Sequence, residues 1–286
     1  MIFELRQMQK WENVVMETTL VRASPRIAVD HAGHGELVVF LHGIGGNRRN
    51  WHEAIAALSS TYHAAAWDGR GWGDSDDYEG PLRFEDMAAD LARVLDHFAA
   101  SKAHIVGLSL GVKVAMYFAH LFPDRLLSLT LCDGSITSRS ANPETLKEFV
   151  RLRQQPLLDG QEPADIAEPV ARSLVSPRAV PGALEQLIDS MTRLHKDMYL
   201  KALELAVMTP DAPGLERISV PTLVVVGEDD TLTPVSAARQ IAEAIKGARL
   251  EIVPEAGHLV NIEQPAIFNR ILRDFLDEVS RAHSAA

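Results

Sequence analysis

Cysteine is nearly missing from this chain. Cys132 is the only one among 286 residues, so no internal disulfide can form, a composition that fits a reducing cytoplasm. Because it follows LLSLTL, Cys132 reads as a small buried hydrophobe rather than a reactive thiol. Positive charge is also short: 28 Lys+Arg stand against 39 Asp+Glu, a net charge of −11. With no basic run to offset it, that balance argues against a nucleic-acid partner or an anionic membrane surface. Nowhere do roughly 18 apolar residues follow one another, which excludes an ordinary transmembrane helix. The stretch MIFELRQMQKWENVVMETT carries Glu4, Arg6, Lys10 and Glu12 among its apolar residues, so it lacks the uninterrupted apolar centre of a signal peptide. No pair of histidines or acids has metal-ligand spacing on one helix or loop, and neither a metal nor an organic cofactor is expected.

What is present is a globular composition, 47% hydrophobic and 23% charged. The length suits one domain, or one domain with a substantial insertion, and is compatible with a homo-oligomer. METTLVRA and RIAVDHA, separated by Ser24-Pro25, read as a hairpin at a sheet edge. Short continuous apolar runs follow: LVVFL (37–41), HAAAW (63–67), HIVG (104–107), LLSLTL (126–131), TLVVV (222–226) and LEIV (250–253). Such runs are expected of strands buried on both faces of a parallel sheet. Between them Met87, Leu91, Val94, Leu95 and Phe98 line one face of a predicted helix over 83–100, and Ile267, Ile271, Phe275 and Val279 line another near the C-terminus. The alternation predicts a mostly parallel, doubly wound α/β sheet. From about Ser135 to Pro213 only helical patterns occur. Residues 1–134 and 214–286 are therefore expected to form the core, with 135–213 a helical insertion over the carboxyl edge of the sheet.

IVGLSLG (105–111) places Ser109 between two glycines. Alone, that pattern is more often a turn than a nucleophile. Here it lies between a strand and the helical pattern LGVKVAMYFAHLF, where Val112, Met116 and Ala119 share a face. A sharp strand-to-helix turn needs small residues at Gly107 and Gly111 and exposes the serine oxygen at the positive end of the helix. A serine nucleophile needs a base and an orienting acid. His258, in EAGHLVNIEQP, stands between the last strand and the final helix. His52, His97 and His120 fall within helical patterns and read as packing or surface residues. Three acids compete to orient the base: Asp229 and Asp230 in VVVGEDDTLTP, and Asp133 at the end of LLSLTLCD. FLHGIGG (40–46) ends a strand in a glycine-rich turn, so the Ile44 N–H, paired with that of Leu110, would form an oxyanion hole. The turn lacks the lysine and Ser/Thr of a phosphate-binding loop and the full spacing of a dinucleotide fingerprint.

In their order along the chain, HGIGG, DGRGWGDS (68–75), GLSLG, GEDDTLTP (227–234) and GHLVNIEQP (257–265) resemble the motifs of the α/β-hydrolase superfamily, over nearly its whole length. The resemblance implies the α/β-hydrolase fold with a helical lid. It also implies a catalytic triad of Ser109, Asp230 and His258, since Gly227 and Pro234 match the family's GxxDxxxP around the acid. It implies that His42 structures the oxyanion turn. Within the superfamily the chain is most similar to the 3-oxoadipate enol-lactonase and small-ester hydrolase group, which implies an ester or lactone substrate and a place in aromatic catabolism. Carbon–carbon bond hydrolases of ring-fission products come second, and a cofactorless oxygenase or a lyase on the same scaffold is the alternative in another reaction class. One departure stands out: many relatives have a second glycine after Gly111, where this chain has Val112 and then Lys113. Met191, Leu194, Met198, Leu203 and Met208 in the insertion are read either as an apolar pocket wall or as packing of the insertion on itself. Arg151, Arg153, Arg193 and Lys113 are within reach of the mouth, where one cation would hold a substrate carboxylate.

Overall fold

The computed structural model describes residues 14–136, 143–208 and 214–284. Eight strands form one sheet: β1 (Glu17–Val21), β2 (Ile27–Ala32), β3 (Leu37–Leu41), β4 (His63–Trp67), β5 (Ala103–Leu108), β6 (Leu126–Cys132), β7 (Thr222–Gly227) and β8 (Arg249–Val253). Their order is β1-β2-β4-β3-β5-β6-β7-β8, and only β2 runs against its neighbours. The hairpin expected around Ser24-Pro25 is β1 and β2, at one edge. Every residue of β3, β5 and β7 is buried, as continuous apolar runs demand of central parallel strands. LEIV departs from that expectation: β8 pairs with β7 alone, and Arg249 and Ile252 are exposed. An edge strand has one covered side only, and the arginine and Glu251 on it discourage pairing with another chain.

Helices α1 (His52–Leu58), α2 (Phe84–His97) and α3 (Leu110–Leu121) follow β3, β4 and β5. On α2, Met87, Leu91, Val94 and Leu95 are buried as expected, while Phe98 lies just past its end and is half-buried. All of α3 from Leu110 to Ala119 is buried except Lys113, so this helix is packed all round rather than on one face. Between β6 and β7 the described residues hold four α-helices: α4 (Pro143–Leu158), α5 (Pro163–Arg172), α6 (Ala183–Thr192) and α7 (Lys196–Met208). Here α5 packs on α6, and α4 on α7. After β7 come α8 (Val235–Ala244), then, beyond β8, the short α9 (Val260–Glu263) and α10 (Pro265–Ser284). On α10 Phe268, Leu272, Phe275 and Leu276 are the deeply buried face, with Ile267 and Ile271 half-buried at its border.

Insertion helices α6 and α7 and the stretch before α6 rest on loops that leave the carboxyl ends of strands. A Cβ on Gly45, after β3, would lie 3.5 Å from Met191 Cγ, and one on Gly71, after β4, would overlap the Met198 side chain. His195 bonds Asp77 and the Gly73 carbonyl. After β7 and β8, Asp229 and Gly257 contact the stretch between α5 and α6. Among the described residues no helix is long and apolar enough to cross a membrane.

Candidate active site

Ser109 joins β5 to α3 at φ 54 and ψ −109, a left-handed conformation that is strained for a residue with a side chain and typical of functional turns. Gly107 and Gly111 make the turn possible, for a measurable reason. A Cβ on Gly107 would lie 2.3 Å from the Gly111 carbonyl oxygen, as sequence reasoning anticipated; one on Gly111 would lie 2.4 Å from the Leu41 carbonyl oxygen, in the neighbouring strand rather than its own. Val112, the departure from the usual second glycine, is accommodated from the other side. A Cβ on Gly134 would come within 2.7 Å of its methyl, so the missing side chain at Gly134 leaves room for the extra one at Val112.

Above the turn, His258 Nε2 lies 2.9 Å from Ser109 Oγ, and its Nδ1 lies 2.9 Å from Asp230 Oδ2. The structure thus brings together the three side chains drawn from separate motifs. Asp230 is further fixed by the N–H groups of Leu232 and Thr233 and by the Thr233 hydroxyl. Burial alone would raise its pKa, but the imidazole beside it and these donors hold it below the ordinary carboxylate value. Burial would lower His258, and the adjacent Asp230 charge outweighs it, so the imidazole binds its proton more tightly than usual. Asp229 points elsewhere, to the Ser176 hydroxyl and Arg178.

Asp133 is fully buried and its two oxygens accept the N–H groups of Gly227 and Val260, both at 2.9 Å. It therefore braces the acid loop and the base loop instead of bonding the imidazole. Burial, and next the Asp230 charge, push its carboxyl up to about 8 against the pull of those amides. Glu263, which sequence reasoning passed over, is a further buried carboxylate here: it accepts the N–H groups of Gly257, Leu259 and Ser176.

The turn after β3 is held from three sides. His42 Nε2 accepts the Gly69 N–H at 2.9 Å, which leaves the ring proton on Nδ1 to donate to the Gly43 carbonyl at 2.8 Å. Burial keeps this imidazole neutral, its pKa lowered despite Asp68. The Gly43 carbonyl also accepts the Gly46 N–H at 3.1 Å. Because a trans peptide points its N–H opposite its C=O, the Ile44 N–H faces away from that turn, and Ile44 lines the cavity at Ser109. Trp72 Nε1 fixes the next peptide through the Ile44 carbonyl at 3.0 Å. Beneath, the buried Arg48 binds Asp30, Asp68 and Asp74, tying this turn to DGRGWGDS. The Leu110 N–H opens α3 next to Ser109, where helix geometry leaves amides without intrahelical partners.

The cavity at Ser109 is bounded by Ile44, Arg153, Met191, Tyr199, Leu232 and His258 among others, and encloses about 40 Å³. Of the five insertion residues read either way, Met191 faces this cavity. Met198 covers Gly71 and Leu203 is buried in packing, Leu194 is buried in the core cluster, and the Met208 side chain lies outside the described residues. Of the four cations, Arg153 reaches the cavity. Arg151 and Arg193 pair on the surface with Glu148 and Asp189, and Lys113 donates to the Ile136 carbonyl. A larger groove of about 880 Å³ runs beside β1, past Thr18, Arg26 and His97, away from Ser109.

Comparison with known proteins agrees with this fold. The pattern of the alpha/beta hydrolase fold matches residues 36–265. The chain is 27% identical over 254 residues to 3-oxoadipate enol-lactonase 2 of Acinetobacter baylyi, covering 85% of this chain and 91% of that one. It is 28% identical over 266 residues to the 2-hydroxy-6-oxononadienedioate/2-hydroxy-6-oxononatrienedioate hydrolase of Klebsiella pneumoniae, covering 88% and 91%. Among solved structures, a malate-bound thermophilic esterase from Thermogutta terrifontis superposes with a TM-score of 0.82 at 29% identity, over 93% of this chain and 99% of that one. With the fold pattern spanning most of the sequence, the chain belongs to the α/β-hydrolase family and is a hydrolase.

Proposed function

We propose that the protein is a serine hydrolase acting through an acyl-enzyme on a small, carboxylate-bearing ester or lactone. The observation that carries this reading is the unbroken chain from Ser109 Oγ to His258 Nε2 and from His258 Nδ1 to Asp230 Oδ2, each link 2.9 Å. In this mechanism His258 takes the Ser109 proton as the oxygen attacks the acyl carbon, and the amides of Ile44 and Leu110 bind the resulting oxyanion. The imidazolium then protonates the leaving oxygen. In the second half His258 draws a proton from water, the hydroxide attacks the acyl carbon, and the Ser109 ester bond breaks as the imidazolium returns that proton to Oγ. Asp230 stabilises the imidazolium formed in each half. Expected losses in kcat for Ser109→Ala and His258→Ala are about 10⁴ to 10⁶, read with a chromogenic ester. Retention of more than about a tenth of wild-type activity by S109A would remove the nucleophile.

Arg153 supports the carboxylate part of the reading. It is 9% exposed, shares a mainly apolar cavity with Ser109, and a guanidinium there can bind a carboxylate at the far end of a substrate. A malate-bound esterase and an enol-lactonase among the similar proteins support a small acid as the substrate class. About 40 Å³ holds a few waters at most, which supports a role for 135–213 as a lid that shifts to admit substrate. Comparing kcat/KM for an enol-lactone acid, its methyl ester and a neutral ester of similar size tests the class. Equal turnover of all three would sink the carboxylate reading and leave the serine hydrolase one standing. A carbon–carbon hydrolase would first ketonise a dienol, so a keto intermediate during fading of a coloured ring-fission product would favour that alternative.

A further inference from the structure

We infer that Glu263 is the positioning residue of this site, clipping the insertion to the base loop so that His258 is held against Ser109; this rests on the roles proposed above for those two residues. The Glu263 side chain is fully buried, and three backbone amides converge on it. Two belong to the residues flanking His258, Gly257 at 2.8 Å and Leu259 at 2.9 Å. The third belongs to Ser176 of the insertion, at 2.7 Å. The backbone carbonyl of Glu263 takes a further insertion amide, that of Val180, at 3.1 Å. Charge-assisted bonds of this kind are short and strong.

The same seam includes the base itself. The His258 N–H donates to the Leu174 carbonyl at 3.0 Å, and a Cβ on Gly257 would lie 2.5 Å from that oxygen, so only glycine lets the two chains approach this closely. On the acid side Ser176 Oγ donates to Asp229 at 2.6 Å, and Arg178 binds the same carboxylate. The stretch 174–178, whose Leu174 also lines the cavity at Ser109, is thus joined to the loops carrying both base and acid.

The three amides favour the ionised carboxylate, against burial, which raises the Glu263 carboxyl above its ordinary value. An amide of the same shape has one acceptor oxygen, and its NH₂ would face amide donors. Burial lowers the His258 pKa; against it, after the larger contributions of Asp230 and then Asp133, the Glu263 charge also favours the protonated imidazole. The residue therefore acts through the base: its loss should change kcat and the pH midpoint while sparing KM.

Glu263→Gln and Glu263→Asp would be compared with wild type on p-nitrophenyl acetate, with rates expressed per active site after titration to completion with a fluorophosphonate. For E263Q, kcat per site should fall about 10- to 100-fold, as for displacement of a reacting group by about an ångström, with KM within about threefold. Its kcat/KM midpoint should move to lower pH. E263D, which keeps the charge but is one methylene shorter, should lose kcat with an unmoved midpoint. A Glu263 that served stability alone would lower Tm and the titratable fraction while leaving kcat per site and both midpoints at wild-type values, and that result overturns the inference. If E263Q does not fold, E263D decides: wild-type kcat per site overturns the inference, and reduced kcat with the wild-type midpoint supports it. Failure of the underlying mechanism would show differently, as absence of fluorophosphonate label on Ser109 in the wild-type enzyme.

Discussion

Three acids near the end of two strands could orient His258, and their partners separate them. Asp230 reaches Nδ1, Asp229 binds Arg178 on the surface, and Asp133 is consumed by two backbone amides. Asp230→Asn is accordingly expected to lower kcat by about 10³ to 10⁴, whereas Asp229→Asn should stay within about threefold of wild type. Asp133→Asn strands one buried amide and should destabilise the fold by about 1–3 kcal/mol, measured by urea unfolding. A large loss of kcat in D133N with D230N near normal would transfer the role of orienting acid to Asp133. The side chains that meet at Ser109 were legible in the sequence because each sits in a motif with a fixed relation to a strand end. Glu263, and the bracing role of Asp133, were not, because their partners are backbone amides. Every residue carries one, and only the tertiary fold shows which amides converge.

Among the elements, the strand-to-helix turn was the most legible, since small residues at Gly107 and Gly111 answer a steric demand that any sequence must meet. What the sequence could not show is that Gly111 is constrained by β3 as much as by its own turn. Gly111→Ala would push a methyl to within 2.4 Å of the Leu41 carbonyl oxygen, and neither backbone can yield without parting β3 from β5. A loss above about 2 kcal/mol is expected, in line with severe overpacking, together with slower fluorophosphonate labelling of Ser109. A G111A protein with wild-type stability and labelling rate would show that the turn relaxes freely. The edge position of β8 was also hard to read, because LEIV is apolar like the central runs except at Glu251. What distinguishes it is Arg249 at its start and the absence of a ninth strand among the described residues.

For the whole molecule, pH acts on stability and on catalysis through different groups. Glu36 lies before β3, bonds His104 of β5 and Ser280 of α10, and so ties the C-terminal helix to the sheet. The His104 contact, then the Ser280 hydroxyl, hold its carboxyl down at about 2, from an ordinary 4.5. A depressed folded-state pKa gives stability that is present above the ordinary value and lost as pH falls through the folded one. Glu36→Gln should therefore lower Tm at pH 7, with a gap from wild type that closes between about pH 4.5 and 2. Catalysis needs neutral His258, whose proton is held more tightly than usual, so kcat/KM should rise with pH through a midpoint above the ordinary imidazole value of about 6.5. Removing the Asp230 charge should move that midpoint down. The most direct test of the mechanism is to quench the reaction with a chromogenic ester within milliseconds and map the covalent adduct by mass spectrometry. The account requires one acyl group per chain, on Ser109, formed with the first turnover and absent from Ser109→Ala. Steady hydrolysis with no adduct, or with the acyl group on another residue, would contradict it.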